Sequence, residues 1–288
     1  MTTDLVKSRI AVTGFNGFIG SCFVNKLRSL NIPVILLEGD VRSSETWKED
    51  FNVLYHFAAM MPAKFADSPH EAFAVNIHGV LNALDACRRN KAQMVFTSTC
   101  GVYKPDKTQP FLEDHPLEPP TAYTQSKLIG EMLCRTYAKQ YGVKSIIYRL
   151  FNVYGPDQNA GFIIPYLIKC GCDGRTAEVS HPESSRDFIH VKDVVDVLLR
   201  VAKIKELFSI YNVGSGKSHT IAEVIELIGQ VCGKKMPYKR IESAEDPQPF
   251  VRANISRAVH DLGWSAKVNF KDGIQEIINN FHQVAQSK

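Results

Sequence analysis

The sequence predicts an α/β protein built on a doubly wound parallel sheet, with a smaller α/β lobe towards the C-terminus. Three observations carry this. Continuous apolar runs recur at residues 10–13, 33–37, 53–58, 94–98 and 144–150. Strands apolar on both faces belong to a sheet covered on both sides. Segments with apolar residues at helical spacing lie between these runs, joined by short connections, and that alternation gives a parallel sheet. After Gly155 the texture becomes mixed and turn-rich.

Taken in order, residues 10–13 form a buried strand that runs into a glycine-rich turn at 14–20. A helix follows over 21–30, with Phe23, Val24, Leu27 and Leu30 on one face. The strands at 33–37 and 53–58 come next, then a helical pattern over 72–89, the strand at 94–98, a helix over 126–141 and the strand at 144–150. Residues 156–185 read as irregular. Residues 186–202 return to strand and helix. Helices are expected over 221–232 and 272–283, with an irregular stretch at 237–250.

A chain of 288 residues can bury a sizeable core in one large unit with a smaller lobe. Hydrophobic residues at 44% and charged residues at 22% are ordinary for a soluble protein. A net charge of +4 with no basic run is too weak to imply nucleic acid, and none is expected as a partner. Seven cysteines without a CxxC pair predict reduced thiols and no metal site. Residues 1–9 are polar and lack a secretory h-region, and no apolar run nears the roughly 20 residues of a membrane span, so a cytoplasmic location is expected.

Gly14, Gly17 and Gly20 form GxxGxxG between a strand and a helix. Such glycines allow a tight turn, close approach to a pyrophosphate and close helix packing, and the helix N-terminus offers free N–H groups to the anion. Glu38 follows Gly20 by eighteen residues, at the end of the next strand. A carboxylate there accepts from an adenosine ribose diol and repels a 2′-phosphate, so NAD is expected. Arg42, nearby, keeps NADP open.

Tyr123 and Lys127 form YxxxK at the start of a helix, one turn apart on a shared face. A phenol near pKa 10 is a poor base at neutral pH. An adjacent ammonium lowers that value, so the pair can move a hydroxyl proton while hydride moves to or from nicotinamide. Thr99 lies at the end of the strand at 94–98, where doubly wound sheets bind ligands, and could hydrogen-bond the same substrate oxygen. His56, His181 and His190 read as structural, and Cys100 as a small buried residue.

These residues, with TGFNGFIG (13–20), HFAA (56–59), VNIHGVLNALDA (75–86), FTSTCGVY (96–103), YTQSK (123–127), RLFNVYGP (149–156), RDFIHV (186–191), YNVGSG (211–216) and LGW (262–264), resemble the extended short-chain dehydrogenase/reductase superfamily, in its NAD-dependent epimerase/dehydratase group. The resemblance covers nearly the whole chain. It implies a Rossmann-type dinucleotide-binding domain over 1–155, with 186–213 returning to it, and a substrate-binding lobe from 156–185 and 214–288. It places Phe18, Ile19, Asp40, Val41, Phe57, Ala58, Ala59 and Phe151 along the cofactor, with Asn76 supporting the site. It makes Tyr123 the acid/base, Thr99 its assistant and Lys127 the partner of the nicotinamide ribose. Asn152 and Arg186 resemble holders of the substrate diphosphate. A homodimer through a four-helix bundle of residues 72–89 and 126–141 is also implied.

The chain departs from the family pattern in three places. Cys100 and Gly101 follow Thr99 where the 4,6-dehydratases carry Asp-Glu, so dehydration is not expected. The segment from Glu38 to Trp47 is too short for a helix and strand usual in epimerases. The usual Arg-x-Gly-Asp of the C-terminal lobe is missing, and Arg252 or Arg240 stands in for its arginine. The leading expectation is a nucleotide-sugar 4-epimerase. The alternative is a 4-keto-6-deoxysugar reductase, which the short segment favours. A non-catalytic dinucleotide-binding sensor is the remote third.

Overall fold

The computed structural model describes residues 8–286 apart from 108, 243–245 and 247. Strand β1 (Ile10–Thr13) leads through the glycine turn into α1 (Phe18–Ser29) and β2 (Val34–Leu36). Then come β3 (Val53–His56), the short helices α2 (Pro62–Asp67) and α3 (Pro69–Phe73), a π turn (Ala74–His78) and α4 (Gly79–Asn90). Next are β4 (Gln93–Thr99), α5 (Ala122–Tyr141), β5 (Ser145–Leu150) and β6 (Asn152–Tyr154). The remainder holds α6 (Ile163–Asp173), β7 (Ala177–Val179), β8 (Ser185–Arg186), β9 (Phe188–His190), α7 (Val191–Leu198) and β10 (Phe208–Val213). It ends with β11 (His219–Thr220), α8 (Ile221–Val231), β12 (Tyr238–Arg240), α9 (Ser256–Leu262) and α10 (Phe270–Gln286).

Six strands pair in parallel in the order β10-β5-β4-β3-β1-β2. The chain steps from β1 to β2 on one side and returns to β3 on the other, so strand order reverses between β1 and β3. The crevice at the C-terminal strand ends beside such a reversal is where these sheets take ligands. Period-two geometry explains the continuous apolar strands. Ile10, Val12, Tyr55, Val95 and Ile146 pack on the face covered by α1 and α7, while Ala11, Leu54, Met94, Phe96 and Ile147 pack on the face covered by α4 and α5. The doubly wound parallel sheet expected from the sequence is present.

A separate core lies under the later elements, where Leu167, Ile168, Val224, Ile225, Ile228, Ile274 and Ile278 join α6, α8 and α10. The expected irregularity of 156–185 is corrected here, because α6 fills eleven residues of it. Pro165 and Gly171 break the apolar pattern in the sequence. Pro165 falls in the first turn, where no backbone N–H is needed.

The compressed segment after Glu38 holds only a short 3-10 turn (Ser44–Trp47). Trp47 closes the gap: it is 4% exposed, and its indole N–H donates to the Val41 carbonyl at 3.1 Å. The helical pattern at 72–89 is interrupted by the π turn that carries Asn76. Among the described residues no helix is long and apolar enough to cross a membrane. Residues 1–7, part of the polar N-terminal reading, lie outside the described residues.

Candidate active site

The glycine turn is built to bring backbone close. Gly14 has φ +65°, and a Cβ there would stand 2.5 Å from the Ala58 nitrogen. A Cβ on Gly20 would stand 2.2 Å from the Gly14 carbonyl oxygen. Gly17 caps α1 without a side-chain hydrogen bond, and no acidic residue occupies the first turn. The N–H groups and positive dipole end of a twelve-residue helix therefore face the crevice uncompensated, which fits a pyrophosphate. Phe18 and Ile19 sit half-buried in that first turn.

Glu38 lies exposed two residues beyond β2. Asp40 accepts from the backbone N–H of Arg42 at 2.9 Å and from its guanidinium at 2.8 and 2.5 Å. Those bonds hold the Asp40 carboxyl below its ordinary pKa. Val41 is buried, and its carbonyl is taken by Trp47 and Asn82. Phe57, Ala58 and Ala59 continue from β3, half-buried. Asn76 is 3% exposed and ties three segments together: its carbonyl oxygen accepts from Met60 N–H at 2.7 Å, and its amide donates to the Met60 carbonyl and to Ser126 Oγ.

Thr99 closes β4, and its hydroxyl oxygen accepts from Gly101 N–H at 3.2 Å. Thr121 begins α5 with a capping box closed by Thr124, which fixes Tyr123 in the first turn. Phe65 meets Tyr123 edge-on at 6.0 Å. Lys127 is buried, donates to the Thr97 carbonyl at 3.0 Å and lies 4.9 Å over the Phe96 ring.

The expected lowering of the Tyr123 pKa is corrected by this geometry. Burial, reinforced by the neighbouring Cys100, pushes the phenol up to about 12. Lys127, engaged on Thr97, is not among the groups that shift it. Burial brings the Lys127 ammonium down to about 8, against the pull of Glu131. The Cys100 thiol is itself pushed up to about 12 by burial, which suits a small buried residue.

The remaining candidate residues are one expected beside the nicotinamide, Phe151, and those expected to grip the substrate. Phe151 is buried beside Cys100, Tyr103 and Phe111. Asn152 Oδ1 is buried without a hydrogen-bond partner, as is Ser98 Oγ at the end of β4. Such orphaned acceptors are costly unless a ligand satisfies them. Arg186 is held by Asp246 in an ion pair whose side chains are 20% and 10% exposed. Arg252 uses its backbone to pair with Gln109 and Phe111, and among the described residues its guanidinium has no partner. Arg240 is instead exposed and paired with Glu183 at 3.0 Å.

Asp187 was legible only as part of a motif. It is fully buried, and its carboxylate accepts from Ser215 N–H (2.6 Å), Ser215 Oγ (2.7 Å), Gly216 N–H (3.0 Å) and Ala253 N–H (3.0 Å). It anchors the strand end that bears Arg186. An acid inside the apolar run DFIHV was the available signal. Asp246 gave none. His56 is structural as expected: buried, bonded through Nδ1 to Thr13 Oγ1 at 2.9 Å, and lowered to about 3 by burial.

The model of the NAD dependent epimerase/dehydratase family matches residues 10–214, more than half of the chain. The chain belongs to that family. It is 27% identical to UDP-glucuronic acid decarboxylase 1 of Xenopus tropicalis, over 96% of this chain and 73% of the relative. It is 28% identical to GDP-6-deoxy-D-mannose reductase of Pseudomonas aeruginosa, over 95% of this chain and 97% of that one. Among solved structures it resembles the NAD complex of Thermus thermophilus UDP-glucose 4-epimerase, with a TM-score of 0.86 and 26% identity over 95% and 99% of the two chains. The family's members act on nucleotide sugars as epimerases, reductases and decarboxylases, and this chain is an enzyme of that group.

Proposed function

We propose that the protein inverts C4 of a nucleoside-diphosphate hexose. What supports this reading is that Lys127 of α5 holds the Thr97 carbonyl two residues before Thr99, with Tyr123 one turn earlier on the same helix and no carboxylate following Thr99. Such a site can oxidise and re-reduce a carbinol and lacks the acid that expels water from a sugar.

A bound nicotinamide dinucleotide supplies the acceptor and donor of hydride. Gly14, Gly17, Phe18, Ile19 and Gly20 would hold its pyrophosphate, and Glu38, Asp40 and Val41 its adenosine end. Phe57, Ala58, Ala59 and Phe151 would line it, with Asn76 fixing their approach. Glu38 favours NAD, while Arg42, paired with Asp40 at the surface, is the residue that would meet a 2′-phosphate and keeps NADP open. Thr99 would orient the C4 oxygen and Tyr123 move its proton. Burial pushes the Tyr123 phenol up to about 12, so it is protonated in the free site, and a positive charge in the crevice would favour its ionised form. Lys127 would hold the ribose by its hydroxyls. Arg186, Arg252 and Asn152 would grip the sugar's diphosphate, charge-assisted in the case of the arginines.

A cofactor domain (1–155 with 186–213) and a substrate lobe (156–185 and 214–288) would divide the work, although Ala258, Leu262 and Trp264 of the latter pack into the sheet core beneath α1 and α7. The outward face of α4 and α5, where Met132 is 60% exposed, suits pairing of two copies through four helices in the cytoplasm.

A second reading, reduction of a 4-keto-6-deoxysugar, is favoured by the absence of helix and strand between Glu38 and Trp47 and by the protonated phenol, which is the acid a ketone needs. Identifying the dinucleotide released on denaturing the purified protein separates the two. Near-stoichiometric NAD supports inversion, because that cycle regenerates its cofactor. A site that arrives empty and binds NADPH reversibly supports reduction instead.

A further inference from the structure

Away from the crevice, α6 and α8 approach so closely that a Cβ on Gly171 would stand 2.8 Å from Ile228 Cγ2 and 3.4 Å from Cys232 Sγ. The contact brings together residues sixty positions apart. Cys172 lies in the last turn of α6, and Cys232 caps the C-terminal end of α8. Cys172 directly follows Gly171, so its thiol lies in the same α6–α8 contact as Cys232, close enough for Cys232 to help push it up. Both are partly exposed, whereas Cys87, Cys100, Cys134 and Cys170 are buried. Lys234, just beyond α8, donates to the Cys172 carbonyl at 3.3 Å and fixes the loop against α6. Disulfides need two side chains at short range, and the close approach of α6 to α8 at Gly171 brings Cys232 Sγ to the residue next to Cys172.

We propose that Cys172 and Cys232 are a reversible dithiol–disulfide site that staples α6 to α8, with a low-molecular-weight disulfide as oxidant. One cysteine thiolate attacks the oxidant's S–S bond, forms a mixed disulfide and expels one thiolate. The second cysteine attacks the protein-side sulfur and expels the other. One protein S–S bond forms, the oxidant's S–S bond breaks, and the two cysteine protons end on the two released thiols. Burial and the adjacent Cys232 push the Cys172 thiol up to about 11, so Cys172 rests as a thiol and reacts slowly near neutrality. The consequence falls on the substrate lobe. The N-terminal end of α8 follows β11, whose His219 and Thr220 pair with Arg186 and Ser185. The staple therefore fixes the helix that abuts the Arg186 strand.

The test uses the full chain with oxidised glutathione in mildly alkaline buffer, followed by denaturation, alkylation and mass spectrometry. The expected result is a fall from seven alkylated cysteines to five, one peptide cross-linked through Cys172 and Cys232, and recovery of all seven after dithiothreitol. The oxidised chain should also melt at a higher temperature, a gain absent from both Cys232→Ser and Cys172→Ala. Seven alkylated cysteines, a persistent glutathione adduct on Cys172 or Cys232, or either of these two linked to a different cysteine would overturn the proposal. None of these outcomes bears on sugar turnover, so this site stands or falls apart from the function proposed above.

Discussion

Lys127 gives its ammonium to the main-chain carbonyl of Thr97 at 3.0 Å, two residues before Thr99, rather than to the phenol of Tyr123. The lysine thus braces the strand end that presents Thr99. Tyr123 is left as a half-buried, protonated phenol whose chemistry depends on what enters the crevice.

Replacing Tyr123→Phe removes the proton relay and keeps the ring against Phe65. Turnover should fall about 10²–10⁴-fold, with dinucleotide affinity changed by less than about threefold. Steady-state rates and a fluorescence titration of the dinucleotide check this. Wild-type turnover in the variant would remove Tyr123 from its role.

Lys127 predicts an alkaline limb. Its folded pKa, about 8, lies below the roughly 10.4 of an exposed lysine, so the folded protein sheds this proton first as pH rises. The ammonium's hold on Thr97 and on ligand hydroxyls is therefore lost through pH 8. The group's linkage term favours folding more strongly from about pH 8 to 10.4, because only the unfolded chain still binds the proton there. Activity should fall above pH 8 without unfolding, and a pH–rate profile with parallel circular dichroism separates the two effects. Lys127→Met should lose that limb.

Arg186 and Asp246 predict a binding effect. Arg186→Met should raise KM for the nucleotide sugar about tenfold or more with kcat little changed, because the diphosphate loses a charged partner before and during reaction alike. Asp246→Asn should shift KM by a smaller factor, since the guanidinium remains. An unchanged KM in Arg186→Met would detach Arg186 from the substrate.

His56 sets an acid limit. Its pKa falls from about 6.5 to about 3 on folding, so its contribution is complete above pH 6.5 and is lost as pH drops towards 3, where the unfolded chain takes the proton that the core refuses. His56→Asn should be roughly 1–2 kcal/mol less stable at pH 7 for want of packing and hydrogen bonding. Its denaturant midpoint should depend less on pH between 6.5 and 4.

The sheet was legible because its strands are buried on both faces, so Ile10, Leu54, Val95 and Ile146 stand in unbroken apolar runs. The glycine turn and the Tyr123–Lys127 spacing were legible because each demands particular residues at fixed intervals. Other features depend on contacts between distant segments. The α6 helix was hidden by Pro165, harmless in a first turn, and by Gly171, whose reason is the approach of α8. The Tyr123 pKa was misread because spacing shows that two side chains share a helix face, not that Lys127 would be claimed by a carbonyl of β4. Asp246 lies sixty residues from Arg186, and no local pattern marks it.

The most direct test follows a labelled hydrogen. UDP-, GDP- and dTDP-hexoses carrying deuterium at C4 are incubated with the purified protein without added cofactor, and the products are separated and weighed. The account predicts that one of them returns its C4 epimer with the deuterium still at C4, because the hydride leaves and returns within one site. Loss of the label to solvent, or conversion of no hexose unless reduced dinucleotide and a 4-keto sugar are supplied, would contradict it.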